Sequence, residues 1–322
     1  MISNIQVLRA FAAINVVLFH IILASKSYLQ DVDLLNHAGG WGASGVDIFF
    51  VISGFVMLHT QMVRRLTPLE FFKNRTLRIV PIYWTLSLFV ILLYLTQPSI
   101  FRDIKVTPTW AISSLFFTSS IFANQPPIVH VGWTLEWEMY FYLVFAISLF
   151  FRSLSIQLWF VAITLVCTSL FTNSYIVLEF LFGMVVAYAH IRWKLLPKQG
   201  VLLFMFGTLL LLFSLLPSVA TLQINRVLLW GIPAILIVLG LISCSQANIR
   251  LLTFLGDASY SIYLVQIFTI SAFYKFSSKY FQYWNGDVLA LLCLISSVSF
   301  GCLVYSLVER PLTVNLKRMF KS

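Results

Sequence analysis

Charge is what this sequence has least of. Aspartate, glutamate, lysine and arginine make up 10% of its 322 residues, where a water-soluble domain carries roughly 25%. That scarcity excludes a soluble globular fold, and the 60% hydrophobic content excludes a disordered chain. Cysteine is scarce too. Cys167, Cys244, Cys293 and Cys302 all fall inside apolar runs, where each reads as a small buried hydrophobe rather than a bridge or a metal ligand. The sequence has no Walker loop, no GxGxxG and no GxSxG, so a nucleotide-driven pump or a serine hydrolase has no support. No histidines stand at zinc-ligand spacing, and no metal is expected.

Apolar and aromatic residues are in excess. The mean hydropathy is +0.93, and 30 Phe, 13 Tyr and 9 Trp suit lipid contact and interfacial belts. A run of about 18 apolar residues can span the hydrocarbon core. Ten such runs are expected as helical spans: 5–25, 44–62, 79–97, 133–151, 155–172, 175–191, 201–217, 226–244, 254–274 and 288–308. The shorter stretch 110–122, between Pro108 and Pro126-Pro127, reads as an interfacial or re-entrant piece. The expected fold is all-α and polytopic, with 1–322 forming one membrane domain.

A net charge of +10 could point to nucleic acid, but in a membrane chain the placement of charge matters more than its sum. With the N-terminus inside, fourteen cations fall in inner loops and the tail. They include Arg64, Arg65, Lys73, Arg75 and Arg78, and the tail from Arg310 to Lys321. Six fall outside: Lys26, Arg102, Lys105, Arg226, Lys275 and Lys279. Both termini are therefore expected in the cytoplasm. The first apolar run is too long, and its flank too weakly basic, for a cleavable signal peptide.

Ionisable residues at membrane depth are costly and are functional candidates by default. Arg9 and His20 are eleven residues apart, so on a helix they share a face about 16 Å apart, with His20 in the outer half of the bilayer. The alternative for His20 is a helix-packing histidine. Glu136 and Glu138 open the fourth span from outside, about 200° apart, so they cannot both face one site. Glu136 suits the helix dipole, while Glu138, which is deeper, is the better catalytic candidate. Asp47, near the outer start of the second span, could orient the His20 imidazole or simply face water. Arg75 and Arg78, spaced i, i+3 before Pro81, could present two guanidinium forks to phosphates. His37, His59, His130 and His190 carry little signal.

In order along the chain, RAFAAINVVLFH, GVDIFFVISGF, RTLRIVPIY, WTLEWEMYFY, LGDASYSIYLVQ and VERPL resemble the membrane acyltransferase 3 family. WTLEWEMYFY and LEFLFGM most resemble its exopolysaccharide-modifying branch. The resemblance implies acetyl transfer from acetyl-CoA to a hydroxyl of a surface glycan or its lipid-linked precursor, at the bacterial inner membrane. It implies catalytic roles for His20 and Glu138, and donor binding by Arg9, Arg75 and Arg78. Asp47, Ser53 and Glu136 take supporting positions. One departure is Gln266, where family members commonly carry a histidine.

A glycan acceptor and membrane lipids are the expected partners, nucleic acid is not, and a homo-oligomer is compatible with all of this. The rival readings are a transporter and a non-catalytic partner of a polysaccharide synthase. A transporter predicts inverted halves with paired broken helices, which the sequence does not display.

Overall fold

Where no water reaches the backbone, each N–H and C=O must be satisfied within the segment, so apolar runs of this length fold as helices. The computed structural model describes residues 2–28, 32, 42–101, 105–216, 219, 225–247 and 249–319. His37, Arg102 and Lys321 lie outside the described residues. The described residues are predominantly helical, with no strand among them. Its helices are α1 (Ser3–Ser27), α2 (Gly45–Arg64), α3 (Pro68–Thr96), α4 (Pro108–Leu115), α5 (Ser119–Phe122) and α6 (Trp133–Ser148). There follow α7 (Leu154–Thr172), α8 (Leu178–Arg192), α9 (Pro197–Phe213), α10 (Ile232–Ser243), α11 (Arg250–Tyr280), α12 (Gly286–Val304) and α13 (Arg310–Met319). One π-helical turn, Val227–Gly231, precedes α10, and another, Tyr305–Glu309, links α12 to α13.

Seven of these segments are long and apolar enough to cross a membrane: α1, α2, α3, α7, Tyr175–Arg192, α11 and Gly286–Met319. The other three expected spans are helical but shorter. Pro197–Phe213 and Val227–Ser243 are apolar helices below the length of a full span, and α6 has 16 residues, about 24 Å at 1.5 Å per residue. The stretch 110–122 forms the two short helices α4 and α5, broken at Phe117, which has φ 59°.

The bundle is layered by burial. The most apolar windows of α1 and α2 are 56% and 61% buried, that of α7 only 17%. So α1 and α2 form the interior, while α7 lies at the periphery with Trp159, Leu170 and Phe171 exposed. Cys167 is exposed on this same outer helix, unlike the buried hydrophobe expected, whereas Cys293 is buried; none of the four cysteines forms a disulfide.

Two close approaches set the interior. Gly54 on α2 faces Gly183 on α8: a Cβ on Gly54 would lie 2.0 Å from the Phe180 carbonyl oxygen, and one on Gly183 2.1 Å from that of Val51. A Cβ on Gly256 of α11 would lie 2.1 Å from the Gln6 carbonyl oxygen of α1. Small residues let backbones meet in this way, and such contact drives helix association in lipid.

At the start of α3, Thr67 and Glu70 form a capping box: Thr67 Oγ1 accepts from Glu70 N (3.3 Å), and Glu70 Oε2 accepts from Thr67 N (2.9 Å). That fixes where α3 begins, and with it the placement of Arg75 and Arg78 about two and three turns on. Pro81 then leaves the Leu77 carbonyl without its helical donor, and Tyr260 of α11 ties this stretch down by donating to the Ile79 carbonyl (2.9 Å).

Gly54→Ala and Gly183→Ala should each force α2 and α8 apart, lowering the melting temperature in detergent and the amount of folded protein. Leu88→Ala, on the exposed face of α3, should change neither; thermal unfolding by tryptophan fluorescence makes the comparison.

Candidate active site

Five of the residues singled out in the sequence converge on one cavity. It has a volume of about 1020 Å³, and its lining includes Arg9 of α1, Ser53 of α2, Arg75 and Arg78 of α3, and Glu138 of α6. Arg9 is buried, with Nη1 donating to Gln6 Oε1 (3.1 Å), and it lies within Coulombic range of Arg78, Glu138, Glu309 and Asp257. Arg75 stands over the Phe71 ring, 5.7 Å from its centroid, and within Coulombic range of Glu138. Its Nε is buried and has no hydrogen-bond partner. A half-buried guanidinium whose buried Nε is an unused donor suits an anionic ligand.

Glu138 is the carboxylate among these cations. Ser53 Oγ donates to its Oε1 (3.1 Å), and so does the hydroxyl of Tyr142, one turn further along α6. Glu138 therefore faces the arginines. The hydrogen bonds recorded for it do not reach His20, so an orienting contact between the two is not what this geometry displays.

His20 lies beyond the lining of this cavity. Its Nδ1 is 2.9 Å from the Val16 carbonyl oxygen one turn earlier. A carbonyl only accepts, so Nδ1 carries the proton and Nε2 keeps its lone pair. The wall between His20 and the cavity is one turn of α11. Tyr263 lines the cavity, with its hydroxyl donating to the Val131 carbonyl (2.7 Å) and 2.8 Å from Thr134 Oγ1. Gln266 Nε2 donates to the Tyr263 carbonyl (2.9 Å), and the Gln266 side chain reaches the imidazole.

Two expected supporting residues belong to other networks. Asp47 is fully buried and paired bidentately with Arg226 (3.1 and 2.7 Å) rather than with His20. Arg226 also donates to the Ala43 carbonyl (3.0 Å) and stacks over Trp230, 4.7 Å from the ring centroid. Glu179 of α8, equally buried, joins Asp47 and Arg226, placing two carboxylates and one guanidinium together. Glu136 points away from Glu138. It accepts from the backbone and hydroxyl of Ser119 and, at 2.5 Å, from Ser120 Oγ. Glu136 stands in the first turn of α6, where the sequence placed it, and its carboxylate also caps α5 and holds 119–122 against α6.

Several neighbours of the site carried no individual signal. Tyr142, Thr134, Tyr260 and Tyr263 line the cavity through pairings distant in sequence. His59 and His190 also line it, their ring centroids 6.3 Å apart beside Phe55. Glu309 lies in the VERPL block, in the π-helical turn. It accepts from Ser261 Oγ (2.5 Å) and supplies negative charge near Arg9. π-Bulges recur at functional sites, but no periodicity in the sequence marks one here.

Residues 2–307 match the family model described as an acyltransferase domain. The chain is 34% identical over 295 residues to the exopolysaccharide production protein ExoZ of Rhizobium meliloti, covering 84% of this chain and 89% of that one. It is 31% identical over 162 residues to the O-acetyltransferase OatA of Staphylococcus aureus, 45% of this chain and 24% of that longer protein. Nodulation protein 10 of Rhizobium leguminosarum is 32% identical over 163 residues, covering 44% of this chain and 42% of that protein. No solved structure matches.

Arg226→Ala should leave Asp47 and Glu179 as buried carboxylates without a cation, which is strongly destabilising. The variant should melt several degrees lower, Arg226→Lys should recover part of the loss, and the double variant Arg226→Ala/Asp47→Asn more than the single one. Thermal unfolding in detergent reads all three.

Proposed function

The chain belongs to the acyltransferase 3 family and is a membrane O-acyltransferase, and from that premise we propose that it transfers acetyl from cytoplasmic acetyl-CoA to a hydroxyl of an exopolysaccharide or its lipid-linked precursor. The observation that carries this reading is the cavity in which Arg9, Arg75 and Arg78 surround Glu138. At about 1020 Å³ it is at the upper end for ligand pockets, which run to roughly 1,000 Å³. Three guanidiniums suit a polyanionic donor, and Arg75 Nε is a buried donor in want of an acceptor. The branch is supported by the ExoZ likeness over most of both chains.

In this proposal Arg75 and Arg78 grip phosphate oxygens of the donor, and the acyl-bearing arm extends past Ser53 and Glu138 toward Thr134 and Tyr263. Glu138 is a positioning residue, offsetting the arginines so that the site holds the donor and lets the spent thiol go. His20 Nε2 takes the proton of the acceptor hydroxyl. The hydroxyl oxygen attacks the acetyl carbonyl, the carbon–sulfur bond breaks, and the departing sulfur takes the proton from the imidazolium. Proton transfer of this kind contributes typically 10²–10⁴-fold, and alignment of the two substrates in a dry site supplies more. The inner side of the cavity is assigned to the cytoplasm, with both termini there, by the surplus of inner-loop cations. The enzyme is assigned to the bacterial inner membrane, the acceptor to its outer half.

His20→Ala and His20→Gln should abolish transfer while leaving folding intact, and appreciable turnover by either would remove His20 from the base role. Arg75→Ala and Arg78→Ala should mainly raise the KM for acetyl-CoA, with Lys rescuing only in part, because an ammonium lacks the fork. In proteoliposomes oriented with the cytoplasmic face outward, external acetyl-CoA should acetylate a lumenal glycan, with free coenzyme A appearing outside. A requirement for donor and acceptor in one compartment would refute the cross-membrane reading.

A further inference from the structure

Gln266 is fully buried on α11, and its carboxamide is used at one end only. Nε2 donates to the Tyr263 carbonyl (2.9 Å), while Oε1 is buried without a hydrogen-bond partner. The amide cannot turn over, because that would set Oε1 against the Tyr263 carbonyl oxygen. An acceptor fixed and unused inside a protein is costly, and unexplained polar atoms of this kind cluster where chemistry needs them.

The group within reach of this carboxamide is the His20 imidazole, where α1 packs along α11. His20 Nδ1 is committed to the Val16 carbonyl (2.9 Å), so only Nε2 is left to face Oε1. In neutral His20 this nitrogen is itself an acceptor, and two acceptors make no bond. Once Nε2 gains a proton it becomes a donor, and Oε1 is the acceptor already in place. Among the described residues, His130, on the turn before α6, is the titratable group within Coulombic range of His20.

We infer that Gln266 is a positioning residue for the transfer, its Oε1 receiving a hydrogen bond from Nε2–H of the His20 imidazolium that forms as the acceptor hydroxyl loses its proton. The inference rests on the reading of His20 as general base. During attack, Nε2–H is shared between the acceptor oxygen and Oε1. As that oxygen becomes an ester oxygen it turns into a poor acceptor, and Oε1 then holds the imidazolium until the departing sulfur takes the proton. Acyl-thioester and alcohol become ester and thiol, with His20 and Gln266 returned unchanged. Because Tyr263 both anchors Gln266 and lines the donor cavity, the same turn of α11 sets the imidazolium's partner and the end of the cavity.

The test uses the full chain in liposomes, with acetyl-CoA and mild-alkali-deacetylated exopolysaccharide of the host as probes, in a His130→Gln background so that the neighbouring histidine does not titrate. Gln266→Met, similar in length but without the acceptor, should lower kcat about 10- to 100-fold, the effect of one lost charge-assisted hydrogen bond, with the acetyl-CoA KM within about twofold. The acid limb of its kcat–pH profile should move to lower pH, since the protonated imidazole loses a stabilising partner. Gln266→Glu, which keeps an acceptor and adds charge, should move that limb to higher pH. An unmoved limb in both variants, whether or not kcat falls, would overturn the inference and leave Gln266 a packing residue. If the Met variant does not fold, the direction of the limb in the Glu variant decides alone. Activity in His20→Ala would overturn the base reading itself; inactive His20→Ala with unmoved limbs would overturn only the role of Gln266.

Discussion

A guanidinium does not give up its proton at any ordinary pH, so wherever the fold buries one it must be matched on the spot. Arg9 is buried near the start of the central helix, and much of the bundle's interior is organised to meet that requirement. Gln6 supplies a neutral acceptor one turn back; Glu138, Glu309 and Asp257 supply negative charge from three other segments. Their arrival depends on backbone contact: Gly256 lets α11 lie against Gln6, and the π-helical turn at Tyr305–Glu309 sets Glu309 within reach of Ser261. The cavity that results is cationic because the guanidiniums of Arg9, Arg64, Arg75 and Arg78 and the ammonium of Lys317 share its lining with one carboxylate, Glu138.

The opposite end of the bundle meets the same constraint with the signs reversed. Asp47 and Glu179 are buried acids, and the guanidinium of Arg226, ahead of a π-helical turn, pairs with Asp47 and lies within Coulombic range of Glu179. Glu136 is matched by two serines and their backbone donors. These networks hold the frame, and they occupy Asp47, which from the sequence could equally have oriented His20. Separating framework acids from the one that faces the cavity is therefore a question of partners.

His20 is set apart from the arginines by one turn of α11, and this separation gives the proposed reaction its two sides. In the proposed reaction, a donor held by its phosphates among the arginines would approach from one face of the Tyr263–Thr134 pair, and the acceptor would meet the imidazole on the other. Only the small acyl end has to pass. Under that proposal the charged part of the donor stays out of the apolar interior, where it would be prohibitively expensive to carry.

Composition and periodicity by themselves determined the class of molecule: with a tenth of its residues charged, the chain has no means of covering a soluble surface, and helices are the form its apolar runs can take in lipid. They also singled out Arg9 and Glu138, because a charge inside an apolar run is visible without coordinates, and Arg75 and Arg78 by their i, i+3 spacing ahead of Pro81. Span lengths were less legible, since hydropathy runs through residues that close a helix early, as in the 16-residue α6. Pairing was not legible at all. That Asp47 belongs to Arg226, that Glu136 caps a short helix, and that His59 meets His190 depend on contacts between segments up to 179 residues apart. Such contacts leave no local pattern, so only the packed bundle decides which buried charge is free to act and which is already spent on holding the structure together.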